Sequence, residues 1–219
     1  AEFISTIEGQ EWVAKNLEKR EAYVKTFHDG SWKQILQDWI EANSFENAFG
    51  VEREEKLDAR YDFSSWSTTA LITPFETLID KEFDGHACFM RSFELSEELI
   101  KNATKATLHL GQIDDDEKTI VNGKIVGETK GWRQQRNYTI DKPAEVFVEG
   151  LNIIAICATD SGGGGGFHDV VADDICLKLY NGSKVVTIPL AEKEWSYKAS
   201  KVDYKNRPPD FDNVSPYSY

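Results

Sequence analysis

Two hydrophobic periods divide the chain. From Ser5 to about His28 the apolar residues Ile7, Trp12, Val13, Leu17, Ala22, Tyr23 and Phe27 recur every three or four positions among charged residues, which predicts an amphipathic helix. Asp29-Gly30 supplies the stop. Ser31 then opens a second helix carrying Trp32, Ile35, Leu36, Trp39 and Ile40, so residues 1–45 are expected to form a helical pair. Tryptophans at this spacing are expected to pack against the other helix or a sheet.

From about residue 46 the period falls to two. Ala87, Phe89, Arg91, Phe93 and Leu95 alternate with Cys88, Met90, Ser92 and Glu94, and Ala106, Leu108 and Leu110 alternate with Thr107, His109 and Gly111. Ile153 to Ala158 is apolar on both faces and rich in β-branched residues, the pattern of a central strand. Asn122-Gly123, between two β-branched runs, predicts a two-residue type I′ hairpin. A second hairpin is expected about Asn181-Gly182, and a last strand at Trp195. Pro74 assigns Leu71 to Phe75 to an edge or irregular segment. The pattern therefore predicts a mainly β sandwich over residues 46–200, with 201–219 as an extended tail.

Composition narrows the function classes. At 219 residues and 40% hydrophobic content the chain can bury a full core, and no run of 18 apolar residues offers a membrane span. Its 38 acidic residues and net charge of −13 argue against nucleic acid or an anionic membrane as partner. The start Ala1-Glu2-Phe3 lacks the basic and apolar regions of a signal peptide, consistent with a chain already processed or cut from a longer one. Cys88, Cys157 and Cys176 each sit in apolar runs and are expected to be small buried hydrophobes rather than disulfide partners.

The candidate chemistry lies in three loops between Ile113 and Gly166. The run Asp114-Asp115-Asp116-Glu117 has two readings: an oxygen-rich calcium loop, although EF-hand spacing is absent, or a turn whose carboxylates cap backbone amides. Trp132, Arg136 and Tyr138 form a candidate ligand site, because an indole stacks on a pyranose and a guanidinium clamps a carboxylate. The competing expectation is that Trp132 plugs the sandwich while Arg136 pairs with Asp114 or Asp115. Gly162 to Gly166 is no phosphate loop, since no Lys-Ser/Thr follows; Asp160 and His168 flank it and are further candidates for ligand contact.

Several ordered segments carry a family resemblance: Phe89-Met90-Arg91-Ser92-Phe93, Leu110-Gly111-Gln112-Ile113-Asp114-Asp115, Val121-Asn122-Gly123, Gly131-Trp132 with Arg136 and Tyr138, and Asp160-Ser161 with the glycines to Gly166. Together they resemble the β-sandwich inserted into bacterial sialate O-acetylesterases and, more distantly, the sugar-binding domain of family 2 glycosidases. The resemblance implies a galactose-binding-like jelly roll in which Asp114, Asp115, Asn122 and Gly123 are structural. It also implies a hydrolase domain of the same polypeptide as partner, sialic acid or another glycan as ligand, and a periplasmic or extracellular location. The family's Gly-Asp-Ser and Asp-x-x-His blocks are absent, so the chain by itself is expected to be non-catalytic, with no cofactor unless the acidic loop holds a structural calcium.

Overall fold

The computed structural model describes residues 6–69, 73–168, 175–191 and 194–212, which fall into two units. The first contains helices α1 (Ile7–Asp29) and α2 (Trp32–Ala42) together with residues 205–212. The Thr6 hydroxyl accepts from Gly9 N at 3.0 Å to cap α1, and Gly30 ends it at φ 76°, a left-handed position that glycine adopts without a Cβ penalty. Ser31 occupies the cap position of α2, but its side chain makes no capping bond; Asp29 Oδ1 instead accepts from Ser31 N at 2.9 Å.

Residues 205–212, read from composition as part of an extended tail, fold back onto this helical pair. Phe211 lies 5.0 Å from Phe27 and 5.4 Å from Trp32 between ring centroids, and Lys33 pairs with Asp212 at 2.9 Å. Trp32 is thus buried within the helical unit, while Trp39 is partly buried.

The second unit, Phe45–Tyr204, is mainly β with short helices. In chain order it runs α3 (Phe45–Phe49), β1 (Ser67–Thr69), α4 (Phe75–Leu78), β2 (Gly85–Leu95), α5 (Glu97–Asn102), β3 (Lys105–Asp114), β4 (Asp116–Val121), β5 (Lys124–Thr129) and β6 (Gln135–Ile140). It continues α6 (Pro143–Val146), β7 (Gly150–Asp160), β8 (Gly166–His168), β9 (Cys176–Asn181), β10 (Lys184–Pro189) and β11 (Trp195–Lys201). Leu71 and Ile72 of the expected edge segment lie outside the described residues; Pro74 bridges to Gly166 and leads into α4.

Two antiparallel sheets face each other. One has the order β1-β11-β2-β7-β4-β5 and the other β10-β9-β3-β6, with β8 added to the end of β3. Phe89, Ile154 and Ile156 from the first meet Leu108, Leu110, Leu177 and Leu179 from the second in one buried cluster. The alternate residues of β2 and β7, including Met90, Ile153 and Ala155, are also buried, because Phe49, Leu57 and Trp66 cover the outer face of the sheet. This double burial explains why Ile153 to Ala158 is apolar throughout.

The turns follow local chemistry, with one shift. Asn122 (φ 50°) and Gly123 (φ 77°) form the β4–β5 turn with positive φ at both positions, as type I′ requires. In the β9–β10 hairpin Asn181 pairs with Lys184, so the turn is centred on Gly182-Ser183 rather than Asn181-Gly182. The cysteine expectation is overturned for two residues. Cys88 and Cys157 lie opposite each other on β2 and β7 and form a disulfide, whereas Cys176 is buried and free. Their apolar surroundings resemble those of unpaired thiols, and only the strand pairing brings together residues 69 positions apart.

Candidate functional site

The loop cluster begins where the chain crosses from one sheet to the other. β3 ends at Asp114 and β4 starts at Asp116, so Asp115 is the corner between the layers. Beside it, β6 turns Arg136, Tyr138 and Ile140 inward at period two.

Arg136 is completely buried. Its Nη2 donates to Asp115 O at 2.7 Å and Gly131 O at 2.8 Å, its Nη1 donates to Gln134 O, and its Nε lies 3.8 Å from Glu117 Oε2. The guanidinium therefore ties the sheet-crossing corner to the loop that carries Trp132. Of the two readings of Arg136, pairing is the one observed, but with the carbonyl of Asp115 and the carboxylate of Glu117 rather than with the Asp114 or Asp115 side chains. Tyr138 shares this role: its hydroxyl donates to Glu117 Oε2 and lies 2.9 Å from Thr129 Oγ1. Burial pushes the Glu117 carboxyl up to about 7 against the lowering effect of hydrogen bonds from Thr119 and Tyr138 and the Arg136 charge, and it pushes the Tyr138 phenol up as well.

Trp132 stands apart from that buried cluster. It is 51% exposed, with the Arg133 guanidinium 4.1 Å from its ring centroid, so it does not plug the sandwich. An exposed indole with a stacked cation presents one flat apolar surface with polar edges.

The glycine loop is anchored by carboxylates. Asp115 Oδ2 accepts from Ser161 N at 3.2 Å and Ser161 Oγ at 3.3 Å, Asp160 Oδ1 accepts from Gly162 N at 3.0 Å, and Glu76 Oε1 accepts from Gly165 N at 3.0 Å. The loop is thereby fastened at both ends. A side chain at Gly165 would collide with Asp160, since its Cβ would lie 2.3 Å from Oδ2. At Gly164, by contrast, a Cβ would meet His168 and Glu76 at ordinary contact distances of 3.8–3.9 Å, so these two side chains flank the same space.

Strand β8 places His168 against β3, with Nε2 4.0 Å from Asp114 Oδ2. Asp169, next to it in sequence, lies outside the described residues. His168 Nε2 and Asp160 Oδ2 are both buried without a hydrogen-bond partner. Burial raises the Asp114 carboxyl to about 7, reinforced by a hydrogen bond with Asp115 and by the Asp115 and Asp160 charges. Asp160 rises to about 6, again chiefly through burial, opposed by the Gly162 amide.

The structure therefore brings Asp114, Asp115, Asp160 and His168 together, adds Glu76, and links them through Asp115 and Arg136 to the base of the Trp132 loop. Asn122 and Gly123 are elsewhere: Asn122 Nδ2 donates to Val146 O at 3.0 Å and Asn152 Oδ1 at 2.8 Å, and its Oδ1 accepts from Ile153 N at 3.0 Å. Among the described residues no group of three or more His, Cys, Asp or Glu side chains is arranged to hold a metal ion. Nor is any described helix long and apolar enough to cross a membrane.

Sequence reasoning placed Glu117 in an acidic turn rather than inside the sandwich, and overlooked Thr119 and Glu76. For Glu117 and Thr119 a signal existed: Glu117, Thr119 and Val121 share one face of β4, and Val121 is a core residue.

No protein-family model and no curated protein matches the chain. Among solved structures, a Streptomyces avermitilis α-L-rhamnosidase complexed with L-rhamnose is similar over 66% of this chain and 12% of its own, at 20% identity and TM-score 0.38. A Pleurotus ostreatus lectin in its apo form covers 67% and 38%, at 19% identity and TM-score 0.37. A GH2 β-galacturonidase from Eisenbergiella tayi bound to galacturonate covers 58% and 31%, at 14% identity and TM-score 0.33. The chain spans between 12% and 38% of the length of these three, and likeness at this level assigns neither substrate nor activity.

Proposed function

We propose that this chain is an accessory β-sandwich domain, of the galactose-binding-like jelly-roll type, that works beside a carbohydrate-active hydrolase, with a sialate O-acetylesterase as the parent its motifs resemble. Its role is to brace that hydrolase and to contact sugar through the Trp132 and Gly162–Gly166 loops. The observation that carries sugar contact is the exposed indole of Trp132, on a loop tied through Arg136 and Asp115 to the cluster in which His168 Nε2 lacks a partner. Stacking surface and polar groups of that kind match the alternating apolar faces and hydroxyls of a pyranose.

Arg136 and Tyr138 enter the proposal as supports, because their polar atoms are engaged within the protein. The domain has no catalytic part in this reading: Ser161 Oγ donates to Asp115 and His168 Nε2 lies beside Asp114, whereas a triad needs the serine hydroxyl on the imidazole itself. The Cys88–Cys157 disulfide favours an oxidising compartment, in keeping with a periplasmic or extracellular location.

The test is a fluorescence and calorimetric titration of the chain with sialic acid, its O-acetylated forms and neutral hexoses, in parallel with Trp132→Ala and His168→Ala. Saturable binding lost in Trp132→Ala is the expected result. A flat titration to millimolar sugar removes the sugar-contact half of the proposal and leaves the bracing role. A second reading, a free-standing carbohydrate-binding module, rests on the same exposed Trp132 and differs in predicting tight glycan binding without any hydrolase.

A further inference from the structure

The chain contains two Asn-Gly pairs, and the fold treats them in opposite ways. At Asn122-Gly123 the amide group is locked: Nδ2 donates to Val146 O and to Asn152 Oδ1, Oδ1 accepts from Ile153 N, and the backbone N donates to Ile153 O at 3.0 Å. Asn152 is itself fully buried, and a Cβ on Gly123 would lie 3.0 Å from Glu55 O, so the turn is packed from outside as well. At Asn181-Gly182 none of this holds. Asn181 is exposed, its side chain has no hydrogen-bond partner among the described residues, and the space around Gly182 is open. The strand that follows, β10, is a sheet edge whose residues are almost all exposed, including Val185 and Val186. Such a hairpin end frays at little cost.

We propose that Asn181 is a site of spontaneous succinimide-mediated deamidation, and that Asn122 is held inert by its hydrogen bonds. In the step itself the Gly182 backbone nitrogen loses its proton to solvent base and attacks the Asn181 side-chain carbonyl carbon. The C–N bond to the side-chain amide breaks and ammonia leaves. Water then opens the five-membered ring at either carbonyl, giving aspartate or isoaspartate. Gly182 makes the attack easy because no Cβ shields its nitrogen, and fraying lets the Asn181 backbone leave the extended conformation that keeps nitrogen and carbonyl apart. Asn122 meets the same chemistry only after four hydrogen bonds are broken together. Conversion places a new carboxylate on the groove lined by Asn102, Tyr180 and Lys184, and the isoaspartyl form lengthens the backbone where Asn181 pairs with Lys184.

The experiment is an incubation of the folded chain at mildly alkaline pH, followed by peptide mapping and enzymatic isoaspartate detection, beside the same chain in urea and beside Asn181→Gln. In urea both pairs are free and convert at similar rates. In the folded chain conversion at Asn181 outruns that at Asn122 by about tenfold or more, since each 1.4 kcal/mol of opening cost is a factor of ten. Asn181→Gln removes most of the isoaspartate. Equal rates at the two positions in the folded chain, protection of Asn181 relative to urea as complete as that of Asn122, or an undiminished isoaspartate yield in Asn181→Gln would each overturn the assignment.

Discussion

Replacing Arg136 with methionine tests the central architectural claim. Methionine keeps most of the volume and removes the charge, so packing changes little while three carbonyl oxygens, of Asp115, Gly131 and Gln134, lose their donor. An orphaned buried polar group costs about 1–3 kcal/mol, and breaking a buried ion pair by removing one partner costs about 3–5 kcal/mol. The Asp115 and Gly131 carbonyls lie in loops that water can partly reach, and Glu117, already raised to about 7, takes up a proton when the Arg136 charge is removed, so the expected loss is about 3 kcal/mol rather than the sum of these figures. That is a large share of a typical folding free energy, whereas an exposed arginine would change stability by about 0.5 kcal/mol or less. Urea denaturation reads the effect as a lower midpoint at constant slope. Glu117→Gln in the same background should be less than additive, because Arg136 and Glu117 lie 3.8 Å apart and each compensates the other's charge. A loss below about 1 kcal/mol, or strict additivity, would refute the view that Arg136 holds the corner between the sheets.

Three further outcomes follow from the same geometry. Glu117, Asp114 and Asp160 all have folded-state values raised above their ordinary ones, to about 7, 7 and 6, so folding takes up protons and stability is lost as pH rises through roughly 4 to 7. Melting temperature should therefore be higher at pH 5 than at pH 8, and Glu117→Gln should flatten part of that slope; a profile that climbs with pH would contradict the assignment. Gly127→Ala should destabilise by about 2 kcal/mol or more, because its Cβ would lie 2.2 Å from Tyr138 Cγ, in a ring held by Glu117 and Thr129; a thermal melt within error of the parent would show the ring free to move. Thiol titration of the unfolded, unreduced chain should find one reactive cysteine, Cys176, and replacing Cys88 and Cys157 together by alanine should cost about 4 kcal/mol for a loop of this length, measured by urea denaturation.

The elements of this fold were legible where the signal is local. Thr6 to Gly30, the alternation of Ala87 to Leu95 and the positive-φ pair Asn122-Gly123 depend on neighbours in sequence, and each forms the expected element. What depends on pairing between distant strands was not legible. Cys88 meets Cys157 only because β2 lies beside β7, and the apolar residues around them fit a free thiol equally well. Arg136 is an intermediate case. Taken alone, an arginine near an exposed tryptophan invites a ligand role, yet Arg136, Tyr138 and Ile140 share one strand face, and Ile140 belongs to the core. Its partners are backbone carbonyls of a loop, which any sequence can supply and none advertises. Residues 205–212 escaped notice for a similar reason: Phe211 has no periodic companions and gains its place from Phe27 and Trp32.

The disulfide also settles how the two loops share mechanical fate. Cys88 and Cys157 close a covalent ring that contains Asp114, Trp132 and Arg136, while Asp160 and His168 lie beyond it. Tension applied to the chain outside the ring passes through the bond and bypasses the Trp132 loop, but it runs directly along the glycine segment. A peptide-bond cut beside Trp132 would leave both fragments covalently joined, and a cut among the glycines would leave β9 to β11 held by strand pairing and packing alone.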